Sequence, residues 1–114
     1  MEPPIEISHS AVGDWTVVEI RGELDVYTVP TIKQFVIERL ADGLRRFVVD
    51  LRGVAFIDSV GLGVLVGALK RVQCVHGELK LVITDANTKQ LFALTGLRHV
   101  FPIYDSVYQA RRTS

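Results

Sequence analysis

The stretch Phe56-Ile57-Asp58-Ser59-Val60-Gly61-Leu62-Gly63 holds the residues best suited to chemistry. A hydroxyl stands beside a carboxylate where an apolar segment gives way to helical spacing, with glycines two and four positions further on. A nucleophile elbow would need G-x-S-x-G. Gly61 fits, but Ile57 occupies the first glycine position and no base or oxyanion arrangement accompanies it. A dinucleotide loop would need G-x-G-x-x-G; Gly61 and Gly63 fit, Val66 takes the third place, and Gly67 comes one residue late. A phosphate loop of the Walker kind would need a Lys-Ser/Thr pair, which is missing.

The Asp-Ser pair also invites comparison with the serine of carrier proteins that takes a phosphopantetheine arm. Those carriers are acidic helical bundles, whereas this chain is neutral and strand-rich. What survives is a serine at the amino end of a helix. Ser59 or Asp58 caps that helix, and free amides together with the helix dipole would accommodate a phosphate placed on the hydroxyl. Gly61 and Gly63 remove side-chain bulk, which would let another protein's active site reach it.

The helix after Ser59 has two faces. At about 100° per residue, Gly61, Leu65, Ala68, Leu69, Val72 and His76 fall on one side, facing the sheet. Val60, Gly63, Gly67, Lys70, Arg71 and Cys74 fall on the other. Two glycines on an outer face each cost about 1 kcal/mol relative to alanine. Either they serve internal packing, or they make a flat docking surface whose stripe is Val60, Gly63, Gly67 and Arg71.

The surrounding elements follow from periodicity. Ile5, Ile7, His9 and Ala11 alternate with polar neighbours as in a strand. Gly13-Asp14 marks a turn, and Trp15 to Arg21 returns as the second strand of a hairpin. Val29, Ile32, Phe35, Val36 and Leu40 recur at helical spacing, with Thr28 as a candidate cap, Pro30 in the first turn and Gly43 as the stop. Phe47 to Leu51 is short, apolar and β-branched, as in a strand buried on both faces. The Ser59 helix is expected to run to about His76-Gly77, followed by a strand through Leu79, Leu81 and Ile83. A helix over Asn87 to Thr95 is closed by Gly96, and Val100 to Tyr104 is a strand whose Pro102 suits an edge. Asp105 or Ser106 would cap a last helix.

The order is β-β-α-β-α-β-α-β-α, an α/β fold with one mixed sheet and packed helices, as a single domain over residues 1–114. Functional residues in such sheets gather beyond the carboxyl ends of parallel strands. Here that is the segment after Asp50, joined by the Gly22 to Thr28 loop if its strand end lies alongside.

Composition narrows the partners. The 114 residues are 48% hydrophobic, with 13 basic and 13 acidic side chains. Disorder is excluded, and there is no electrostatic footprint for nucleic acid or an anionic membrane. The lone Cys74 forms no internal disulfide, which suits a reducing compartment. MEPPIEIS lacks the basic and apolar regions of a signal peptide, and the longest apolar run, Val60 to Leu69, is too short to span a membrane. The expected location is cytoplasmic. His9, His76 and His99 have no ligand spacing, so neither metal nor other cofactor is expected.

Three segments together resemble the STAS-domain family, in its single-domain branch of bacterial anti-sigma factor antagonists. They are VVDLRGVAFIDSVGLGVLVGALK, GELDVYTVP at Gly22 to Pro30, and TGLRHVFPIYDSVYQA at Thr95 to Ala110. The resemblance covers essentially the whole chain and implies a domain without a catalytic site. It implies that unmodified Ser59 marks the form that binds an anti-sigma factor with a histidine-kinase-like ATPase domain, freeing a sigma factor. That partner would phosphorylate Ser59 with ATP, and a PP2C-type serine phosphatase would reverse it. It further places Asp25 near the phosphoserine as an aid to partner recognition; by position alone, Asp25 could equally be a charge at a helix start. The expected partner site therefore comprises Asp25, Asp58, Ser59, Val60, Gly61, Gly63, Gly67 and Arg71. The alternative is a small-ligand or nucleotide-binding domain in which the Ser59 helix end holds a ligand phosphate.

Overall fold

A computed structural model describes residues 5–112. Strand β1 (Ile5–Val12) turns at Gly13, whose φ of 61° requires left-handed backbone, into the antiparallel β2 (Trp15–Leu24). Then follow α1 (Val29–Ala41), β3 (Arg46–Ile57), α2 (Ser59–Cys74), β4 (Glu78–Val82), α3 (Ala86–Leu94), a 3₁₀ turn (Leu97–His99), β5 (Ile103–Tyr104) and α4 (Val107–Arg112). The expected α/β order holds along the described chain.

The strands lie in sequence order, and β2 through β5 are parallel. Each crossover steps the same way across the sheet. Right-handed connections therefore put α1, α2 and α3 on one face. The main core forms there: Val18, Ile20, Phe47, Val49, Leu79 and Leu81 of the strands meet Ile32 of α1, Leu65, Leu69 and Val72 of α2, and Phe92 of α3. Helix α4 returns to the opposite face, where Ala110 packs with Trp15, Val17, Val48 and Val82. Lys80 of β4 is buried on that face. Its ammonium donates to the Ala110 carbonyl at 2.9 Å and lies over the rings of Trp15 and Tyr104.

Three strands differ clearly from expectation in length, the first being β2, which runs past Arg21 to Leu24. The apolar run predicts an end at Leu51, but β3 continues to Ile57 because the end of β2 continues beside it, pairing Arg21 with Gly53 and Leu24 with Ile57. Register shifts on either side of Arg21-Gly22 let this ribbon twist away from the sheet. Strand β5 is only Ile103–Tyr104. Phe101, which the pattern assigns to it, instead plugs the main core edge-to-face against Phe92, 6.0 Å between centroids.

Candidate functional site

The pairing of Leu24 with Ile57 brings two loops together at the carboxyl ends of β2 and β3, and the Asp58 amide donates to the Leu24 carbonyl at 3.1 Å. The alignment of strand ends on which the loop's participation depended is therefore present.

Of the two candidate caps, Asp58 is the one used. Its backbone is extended, and Oδ1 accepts from the Gly61 amide at 2.9 Å. Ser59 is the first helical residue, exposed, and its hydroxyl has no hydrogen-bond partner among the described residues. A hydroxyl freed from capping, at a helix amino end and open to solvent, is accessible for modification.

Gly61 departs from its expected role. It is buried, and a Cβ there would collide with the Leu24 carbonyl. This glycine seats the first turn of α2 on the end of β2 and clears no path for a partner. Gly63 and Gly67 are different: a Cβ at either would meet nothing within 4 Å. Their surroundings also correct the flat outer face expected of α2. Val60, Gly63, Gly67 and Arg71 do form one stripe, but it is a wall of a groove of about 300 Å³ whose other wall is Val29, Lys33 and Val36 of α1. His76, assigned to the buried side of the helix, is exposed beyond its end.

Asp25 is tied into the loop that starts α1. Its Oδ1 accepts from the amides of Tyr27 (2.9 Å) and Thr28 (3.1 Å), and its own amide donates to the Thr28 hydroxyl at 3.0 Å. Thr28 precedes the helix as expected, yet its buried hydroxyl makes no cap; it donates backward to the Glu23 carbonyl at 2.7 Å. The Asp25 side chain thus holds the loop's shape, and its second oxygen, Oδ2, makes no hydrogen bond among the described residues.

Sequence reasoning names Val60 but passes over three other apolar residues exposed at this same end. Tyr27 is 82% exposed, Val26 57%, Phe56 52% and Val60 43%. Two aromatics and two valines left open to water on the segments that meet at the ends of β2 and β3 are the composition of a protein-docking patch. The available signal is Val26-Tyr27 in a loop where turn formers are the usual choice.

Comparison with known proteins bears on the family and the fold. Residues 3–110 match the STAS domain. An anti-sigma-B factor antagonist of Staphylococcus aureus is 37% identical over 86 residues, covering 75% of this chain and 80% of that protein. The crystal structure of an anti-sigma factor antagonist from Mycobacterium paratuberculosis superposes with a TM-score of 0.85 at 30% identity, covering 95% of this chain and 92% of that one. SpoIIAA, a Bacillus cell fate determinant solved in its phosphorylated form, shares the fold at a TM-score of 0.72 and 20% identity, covering 96% of this chain and all of that one. With the family match over residues 3–110 and the shared fold in agreement, the chain belongs to the STAS domain family.

Proposed function

We propose that this chain is a cytoplasmic anti-sigma factor antagonist switched at Ser59. The observation that carries the reading is the free, exposed Ser59 hydroxyl at the start of α2, at the paired ends of β2 and β3 where Val26, Tyr27, Phe56 and Val60 are also exposed. The names of the relatives of known role support it. In the unmodified state these exposed apolar residues and the α2 stripe dock on an anti-sigma factor with a kinase-like ATPase domain, and a sigma factor is released. The docked ATPase phosphorylates Ser59, and a PP2C-type phosphatase removes the group. The chain itself is a binding partner and substrate rather than an enzyme.

The switch is electrostatic. Phosphate adds about −1.5 to −2 charges beside Asp58 and at the loop of Asp25, in the middle of a patch that docking would desolvate. A loss of about 3 kcal/mol lowers affinity a hundredfold, and no rearrangement of the fold is required. The test is incubation of the purified chain with its anti-sigma factor and ATP, followed by phosphopeptide mapping and titration of the two forms. Phosphate on Ser59 with at least hundredfold weaker binding is expected. Phosphate on Thr28, Thr95 or Ser106 would overturn the assignment of the site. Saturable nucleotide binding by the chain alone, without phosphorylation, would favour a ligand-binding domain instead.

A further inference from the structure

The groove between α1 and α2 has a feature that packing does not explain. Glycines at positions i and i+4 of a helix lower its stability, yet the space over Gly63 and Gly67 is empty for at least 4 Å. Around them the lining is apolar, from Val29 and Val36 on one side to Val60, Val64 and Ala68 on the other. One cation stands on each wall, Lys33 on α1 and Arg71 on α2, and neither makes an ion pair among the described residues. The lining begins at Val60, directly after Ser59. From Val60 to Arg71 it is roughly 16 Å long at 1.5 Å per residue, the length of three helical turns.

We propose that this groove seats one amphipathic helix of the anti-sigma factor, apolar on the face toward α2 and carrying Asp or Glu against Lys33 and Arg71. The inference rests on the functional reading above and supplies the chemistry of the partner at that site. Small residues four apart let a second helix approach the backbone closely, which is the requirement for laying a helix in a groove. The two unpaired cations select an acidic helix over a basic one and speed its approach. Continuity with Ser59 makes the seated helix the element that brings the partner's active site to the hydroxyl.

Two arms test this. In the first, fluorescein-labelled helical peptides of four turns, with leucine and alanine on one face and either glutamate or lysine flanking it, are titrated against the whole chain. The glutamate peptide should saturate, weaken with added salt, and bind at least tenfold more weakly to Gly67→Leu and to the Lys33→Glu/Arg71→Glu pair. Thermal melts run in parallel check that these variants remain folded. Equal binding of both peptides, unchanged binding by Gly67→Leu, or displacement of the peptide by dodecanoate as a small apolar anion would overturn the proposal. In the second arm, the anti-sigma factor that phosphorylates Ser59 is given the same variants. Slower phosphorylation and weaker binding support the helix seat; wild-type rates and affinity in Gly67→Leu refute it while leaving the Ser59 switch intact. If wild-type chain is itself neither bound nor phosphorylated, the switch fails, and the peptide titration alone decides the groove.

Discussion

Because Asp58 commits an oxygen to the Gly61 amide, Ser59 is relieved of the capping work its position suggests. Ser59→Ala should therefore change stability by less than about 0.5 kcal/mol, whereas Asp58→Ala should cost about 0.5–2 kcal/mol, both read from urea unfolding. Periodicity locates the helix start but cannot choose between adjacent cap formers, since that choice depends on which backbone turns extended. Asp25 separates in the same manner. Asparagine keeps an oxygen for the Tyr27 and Thr28 amides while removing the charge. Asp25→Asn should leave the melting temperature nearly unchanged and lower partner affinity, while Asp25→Ala should lower both. Equal affinity for wild type and Asp25→Asn would reduce Asp25 to a loop brace. At the other end of α2, His76 adopts a left-handed φ of 62°, and a Cβ at Gly77 next to it would collide with the Arg45 carbonyl. The Gly77 and His76 amides close the helix onto Val72 and Gln73 at 2.8 and 3.0 Å. His76→Gly should relieve the left-handed strain and raise stability by about 1 kcal/mol in the same unfolding measurement.

Within α2, three glycines of one helix have opposite consequences. Gly61→Ala forces a methyl into the Leu24 backbone, which cannot move without disturbing the Asp58 to Leu24 hydrogen bond, and should cost about 1–3 kcal/mol. Gly63→Ala and Gly67→Ala meet open space and should each raise helix stability by up to about 1 kcal/mol. Thermal melts of the three single variants distinguish them, and destabilisation at Gly67 would show that its surroundings are closed. The element order and the buried stripe of Leu65, Ala68, Leu69 and Val72 are legible because helical and strand periods alternate cleanly along the chain. The groove is not, since nothing in the α2 pattern states which helix lies beside it. Nor is the second half of β3. Arg52-Gly53 interrupts the apolar run, and only long-range pairing with β2 keeps Val54 to Ile57 extended.

Seen as a whole, the molecule has one sheet face closed by three helices and another that α4 covers only in part. Asp50 lies on the second face, buried beside Glu19 and Arg21 of β2. Burial by itself pushes its carboxyl up. Hydrogen bonds from the Arg52 side chain at 2.9 and 2.8 Å and from the Arg52 amide at 3.0 Å, with the charges of Arg52 and Arg21, outweigh burial and hold the carboxyl below its usual value. A carboxyl lowered by folding stabilises the fold above its unfolded value of about 3.9. That contribution is lost as pH falls through the lower folded value. Asp50→Asn should accordingly flatten the acid side of a stability profile taken from urea midpoints between pH 7 and pH 2. Arg52→Met goes further. With the guanidinium gone, burial becomes the leading influence and the carboxyl moves up, so Asp50 should cost stability near neutral pH and that cost should lift as pH falls through the raised folded value, the reverse of its effect in wild type. An acid limb unchanged by both substitutions would mean that other carboxylates govern acid unfolding and that the Asp50–Arg52 pair is a surface contact without thermodynamic weight.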